Sequence, residues 1–365
     1  MGVLVPIAVA LIVKNGLSAT AVLLPAGLLY LVVALVYELP VPVQPLKAFG
    51  AIAIAKGLGS DEIAAGALSM GVIFLVLGRL GLLDLAARGF PRALIRGVQL
   101  TVGLLFLKIA WGLVTEPPKG FKEHALGPGW ALPMALLVLV LAFGLRRWPI
   151  TLVLVGTGAA IMILLAGDQV ALGPSPISAP HLDSAIFWTA FTVLVIPQVP
   201  LSFANSCLAT ADAARVYFGK AADRVRPGRL ATTFGSANLL AGAISGMPVC
   251  HGAGGMTAHY AFGARTAAAP AAMGALLLTL ALGFGAGLAG LLAAFPLPIL
   301  AGVLACAGVL HILLLRDLSR ARDWAIAILV GVVGFELNLT IGLALGLLLW
   351  WLPVGVRMLP RLRTV

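Results

Sequence analysis

Two short stretches hold the residues of this chain best suited to chemistry. The first reads Leu39-Pro-Val-Pro-Val-Gln-Pro-Leu-Lys47, the second Ser245-Gly-Met-Pro-Val-Cys-His-Gly-Ala-Gly-Gly-Met-Thr257. In the first, Pro45 suits an opening helical position, because the N–H it lacks would be unpaired there. Gln44 is then the expected N-cap, and the free amides behind it, at the positive end of the helix dipole, favour an anion. Lys47 falls in the first turn, where a cation opposes the dipole; it either serves a ligand, snorkels to an interface or pairs with Glu38. In the second stretch Gly252, Ala253, Gly254 and Gly255 leave main-chain donors open to an oxyanion, or else permit close helix packing. Cys250 and His251 stand at the mouth of this turn, Cys250 being equally suited to small filler. A third polar set, Gln198, Ser202 and Asn205, has spacings of four and three and so shares one helical face. That face serves a cavity or interhelical hydrogen bonding.

These stretches lie in a chain that is apolar almost throughout. Of 365 residues, 61% are hydrophobic and 10% charged, with a mean hydropathy of +1.09. A soluble chain carries about 25% charged residues. The apolar runs are near the roughly 20 residues that cross a bilayer as a helix, and they are apolar all round. The chain is therefore a polytopic membrane protein with no stretch left for a soluble domain. Its net charge of +11 comes from basic residues scattered singly, which fits a positive-inside bias and excludes a nucleic-acid surface. Cys207, Cys250 and Cys306 lie inside apolar segments at no metal-ligand spacing, so no disulfide, metal or cofactor is expected. Met1 leads straight into apolar sequence, so no cleavable signal peptide is expected.

Charges, Pro and Gly divide the chain into about fourteen segments. They cover 2–13, 17–37, 44–57, 63–82, 93–114, 130–144 and 149–167, then 185–211, 229–244, 249–262, 269–293, 297–315, 322–335 and 338–357. Segments 44–57 and 249–262 are too short to span the membrane as helices, and they occupy matching places in two halves. Such interrupted segments point to a transporter's binding site. Pro42-Val43-Gln44 parallels Pro248-Val249-Cys250 at an offset of 206, and Gly97-Val98 with Gly103 parallels Gly302-Val303 with Gly308 at 205. The expected fold is all-α, with residues 1–167 and 185–358 as two seven-segment repeats and the half-helices meeting at the midplane. An odd number of spans per repeat forces inverted topology. With both termini cytoplasmic, 18 of the 24 Lys and Arg residues fall on that side, among them Arg92, Arg96, Arg146, Arg224 and Arg320. Only Lys14, Lys56, Lys119 and Lys122 fall opposite.

The motifs Pro-Val-Gln-Pro-Leu-Lys (42–47), Arg-Gly-Val-Gln-Leu with Gly103-Leu104 (96–104), Pro-Gln-Val-Pro-Leu with Asn205-Ser206 (197–206), Met-Pro-Val-Cys-His-Gly-Ala-Gly-Gly (247–255) and Phe-Gly-Ala-Arg-Thr (262–266) recur in order from end to end. On them the chain resembles the molybdate-transporter branch of the sulfate-permease superfamily. The resemblance implies a core domain (segments 1–4 and 8–11) moving against a gate domain (segments 5–7 and 12–14). It also implies transport of a tetrahedral oxyanion, molybdate or sulfate, across the cell membrane. The expected site comprises Gln44, Lys47, Gln198, Asn205, Cys250, His251, Gly252, Ala253 and Gly254. Protons are the expected coupling ion, through His251, and a homodimer is compatible with the sequence. Related sulfate permeases usually carry an Arg in the second half-helix where this chain has Gly255. Charge compensation then falls to amide dipoles, Lys47 or a protonated His251. Met1–Pro6 resembles the middle of the family's first helix, whose preceding Gly-Asp pair is missing.

The alternative reading is a nucleobase–proton symporter of the related fold. It needs site carboxylates, and segments 197–211 and 248–262 contain none. An intramembrane Cys–His enzyme built on Cys250 and His251 is disfavoured because neighbouring helical residues point about 100° apart. No enzymatic activity is expected.

Overall fold

The computed structural model describes residues 4–358, apart from 89, 119–120, 122–124, 146–149 and 167–170. The first half contains α1 (Leu4–Val13), α2 (Ala19–Tyr37), strand β1 (Gln44–Pro45), α3 (Lys47–Lys56), α4 (Ser60–Arg79), a short α5 (Leu82–Arg88), α6 (Arg92–Thr115), α7 (Pro128–Gly144) and α8 (Ile150–Ala166). The second half opens with α9 (Ser184–Ala190), α10 (Ile196–Leu201) and α11 (Thr210–Phe218), three pieces of one continuous rod. It continues with α12 (Pro227–Ala243), strand β2 (Val249–Cys250), α13 (Ala253–Ala261), α14 (Ala268–Gly283), α15 (Leu288–Ala293), α16 (Leu297–Ile312), α17 (Ala321–Glu336) and α18 (Leu339–Met358). Among the described residues, α2, α4, α6, the rod and Leu297–Asp317 are long and apolar enough to cross a membrane. Large apolar side chains such as Leu35, Leu164 and Trp188 are exposed. In water that would invite aggregation; against lipid it matches the solvent. The segment expected over 269–293 is instead bent by 81° between α14 and α15, where Gly283, Gly285 and Gly287 weaken the helix.

The fold is a seven-plus-seven inverted repeat, and the packing shows why the sequence carries its signature. The contact of α4 with α12 is answered by α14 with α2, and α6 with α17 by α16 with α7. A Cβ added at Gly97 would come within 2.5 Å of Val330 on α17, and one at Gly302 within 2.5 Å of Val138 on α7. Gly103 and Gly308 face each other, a Cβ on either lying 3.0 Å from the other's carbonyl oxygen. These interfaces exclude any side chain, so both copies keep glycine. Backbone strain repeats too. Glu38 and Ser245 both adopt left-handed conformations, at φ 56° and 49°, where α2 and α12 give way to extended chain.

Arg96, counted among the charges that orient the chain, is no loop residue: it lies in α6 and is fully buried. Its guanidinium pairs with Asp212 on α11 and, through two nitrogens, with Asp317 just beyond α16, and it donates to Gln99 Oε1 at 2.8 Å. An arginine carried inward by an apolar helix must find such partners. Of the other charges used to orient the chain, Arg146, Arg147, Arg361, Arg363, Lys119 and Lys122 lie outside the described residues.

Candidate functional site

The two short segments meet directly. Strands β1 and β2 pair antiparallel, Gln44 opposite Cys250 and Pro45 opposite Val249. Gln44 and Cys250 are themselves equivalent by the 206-residue offset, so the twofold relation between the halves runs through this pair. Leu46 N–H donates to the Pro248 carbonyl at 3.1 Å. Helix α3 then starts at Lys47, with Leu46 as its N-cap. This corrects the expectation that Gln44 caps the helix and Pro45 opens it: the ribbon holds both in extended backbone, and Pro45 fits a strand position that asks for no donor. Helix α13 starts at Ala253, with Gly252 as an extended cap, rather than at 249. Cys250 and His251 are accordingly extended and alternate in direction.

Extended backbone buried among apolar helices leaves N–H and C=O groups that must be paired, and buried side chains pair them. Tyr30 Oη donates to the Val43 carbonyl at 3.1 Å, and Val249 N–H to Asn238 Oδ1 at 2.7 Å. His251 and His259 each turn Nδ1 to a carbonyl, of Pro42 and Pro40, at 2.8 Å. Neither half-helix has a local side-chain cap. For α3 the cap arrives from the rod: Phe49 N–H donates to Gln198 Oε1 at 2.9 Å, while Gln198 Nε2 donates to Ser202 Oγ at 2.9 Å. Pro197 and Pro200 withhold two helical donors there. The rod widens into π-helical turns at Phe191–Val195 and Ser202–Ala209, which set Gln198 over α3.

Several buried polar atoms have no partner among the described residues. Lys47 is 9% exposed, and its Nζ lies 4.6 Å above the Phe106 ring with no hydrogen bond. It does not reach an interface, and Glu38 pairs instead with Arg224. Gln44 Oε1 and Asn205 Oδ1 are likewise buried and unpartnered. The Gln44 amide presses on α13: a Cβ at Gly252 would lie 2.7 Å from its Oε1, and one at Gly255 would overlap its Nε2. Gly255 therefore makes room for Gln44. Gly254 makes the same allowance for Phe106, at 2.7 Å. Gln44, Phe106 and Gly255 line a cavity of about 350 Å³, together with Tyr30, Leu304 and Ala307.

The structure thus brings Gln44, Lys47, Gln198 and the Gly252–Gly254 turn to two adjoining helix starts. Cys250 and His251 take their own bonds within the ribbon and to α12. The His251 ring is fully buried, with Nε2 2.9 Å from Thr233 Oγ1 in addition to its Pro42 bond, and it is not part of the cavity wall. The Cys250 thiol points to the Pro45 carbonyl at 3.7 Å. Sequence reasoning missed Phe106, whose ring lies under Lys47 Nζ.

Residues 1–106 and 190–310 match the family model described as "Molybdate transporter of MFS superfamily". Molybdate transporter 1 of Arabidopsis thaliana is 28% identical over 390 residues, covering 96% of this chain and 85% of the relative. Molybdate transporter 2 of the same plant is 26% identical over 396 residues with the same coverage. Molybdate transporter 1 of Chlamydomonas reinhardtii is 33% identical over 201 residues, 53% of this chain and 39% of that one. Among solved structures, the transmembrane domain of a cyanobacterial bicarbonate transporter, BicA, superposes with a TM-score of 0.57 at 20% identity, covering 93% of this chain and 92% of that one. The murine solute carrier 26 family member A9 anion transporter, in its inward-facing state, superposes with a TM-score of 0.58 at 15% identity, covering 98% and 67%. These two likenesses establish the fold.

Proposed function

Because the chain belongs to the molybdate transporter family matched above, we propose that it is a secondary active transporter of tetrahedral oxyanions, molybdate foremost, that carries its substrate unchanged by alternating access. The unpartnered ammonium of Lys47 at two adjoining half-helix starts carries this reading. A buried cation is ordinarily paired. Two helix ends contribute about half a unit charge each, and with Lys47 they make roughly the two charges a dianion needs. Gln44 and Asn205 supply neutral groups for orientation, whereas Gln198 is occupied in capping α3.

The packing of α2, α4, α12 and α14 as one group and α6, α7, α16, α17 and α18 as another supports a core moving against a gate. Both termini are read as cytoplasmic in the cell membrane. Cysteines placed at Arg92, Arg224 and Arg320 should resist an impermeant reagent added outside intact cells. Proton coupling is tested by imposing a pH gradient on proteoliposomes. The decisive experiment is molybdate uptake into such proteoliposomes, with competitors. Tungstate and sulfate should compete; competition by uracil in their place would overturn the oxyanion reading in favour of a nucleobase symporter.

A further inference from the structure

His311 lies at the seam between the two packing groups. It sits on α16, is fully buried, and meets Thr257 on half-helix α13: His311 Nδ1 and Thr257 Oγ1 are 2.7 Å apart. Tyr217 Oη donates to the same Thr257 oxygen at 3.1 Å. The single hydroxyl proton of Thr257 is then free to go to Nδ1, which leaves the ring's own proton on Nε2. That Nε2–H is buried and has no partner among the described residues, an arrangement that costs the full desolvation of a donor unless something else accepts from it.

What accepts is indicated by the surroundings. Leu304, Ala307 and His311 follow one another at spacings of three and four, on one face of α16. The first two line the cavity that holds Gln44 and Gly255. Gly308, between them and His311, packs on Phe106, a Cβ there lying 3.1 Å from the Phe106 Cβ. Phe106 is the ring beneath Lys47 Nζ, and Lys47 lies within electrostatic reach of the imidazole. A second cavity is lined by Thr257, Ala261, Leu310 and Leu314. The bond therefore joins core to gate between residues of the two cavity walls, and His311 itself lines neither cavity.

Resting on the oxyanion reading above, we propose that His311 is a substrate-binding residue contributed by the gate: its neutral Nε2–H donates to an oxygen of the anion held beside Lys47. The site is complete only when α16 is docked on α13, so the anion itself strengthens that contact. Neutral donation adds recognition without adding charge to a site that already balances a dianion.

Equilibrium binding of molybdate to purified full-length protein tests this, with the thermal stability of the ligand-free protein measured alongside. His311→Gln places an amide N–H near the Nε2 position and should bind within about threefold of the parent. His311→Asn reaches only as far as Nδ1, keeps the Thr257 contact and should bind about tenfold more weakly, a difference of about 1.4 kcal/mol, at similar ligand-free stability. Equal binding by Asn and parent would overturn the assignment, as would equal losses by Gln and Asn accompanied by lowered stability, which marks a purely structural histidine. Failure of the parent itself to bind molybdate would instead bring down the oxyanion reading, and this inference with it.

Discussion

Replacing Lys47 by Met should weaken molybdate binding while leaving the empty protein at least as stable as before. The ammonium is already buried and unpartnered without ligand, so its desolvation is not a cost of binding and the attraction to an anion is gained almost whole. At about 4 Å and an effective dielectric of about 20, one unit charge pair contributes about 4 kcal/mol. Allowing for imperfect geometry, the loss should be about 3 kcal/mol, or roughly 100-fold in affinity. In the empty protein the same change removes a charge that costs about 3 kcal/mol at membrane depth. It also removes a contact with Phe106, worth about 1 kcal/mol, and Met preserves the packed stem. The net effect is a stabilisation of about 2 kcal/mol. Thermal unfolding with and without molybdate reads both quantities. At a concentration 100 times the parent's Kd, ligand should stabilise the parent by about 2.7 kcal/mol and the variant by only about 0.4 kcal/mol. A variant that binds molybdate within threefold of the parent, or that is less stable when empty, would refute the reasoning.

Four further outcomes follow from the same geometry. Gly255→Ala forces a methyl into the Gln44 amide, and should cost about 1–3 kcal/mol by overpacking and abolish uptake in proteoliposomes; wild-type uptake would show that Gln44 moves aside freely. His251→Leu strips two buried bonds, to Pro42 and Thr233, and should lower stability by about 2–4 kcal/mol by denaturation midpoint. His251→Gln should leave the pH profile of uptake unchanged; a shifted profile would restore His251 as the proton-coupling group. Arg96→Met leaves Asp212 and Asp317 without their cation. Both carboxylates are partly exposed, so the loss in thermal stability should lie near the low end for a broken buried pair, about 3 kcal/mol.

The sequence by itself determined the solvent and the repeat, and it pointed to the two short segments of the candidate site. Apolar runs of bilayer length need no tertiary information, because lipid selects on composition alone. The repeat was legible at Gly97, Gly103, Gly302 and Gly308 because a helix contact that admits no side chain leaves the same residue in both copies. The short segments were legible because Pro42, Pro45 and Pro248 cannot continue a helix. Only the tertiary structure decided which side chains face the cavity. The β1–β2 ribbon, a pairing of residues about 205 apart, moved the two helix starts two and four residues along the chain. That shift turned His251 and Cys250 toward carbonyls and left Lys47 over Phe106. Arg96 is the sharpest case. Its partners lie 116 and 221 residues away, and local pattern holds no trace of such a meeting. The His311–Thr257 contact, 54 residues apart, depends likewise on how α16 docks against α13, which is a property of packed surfaces rather than of spacing along either helix.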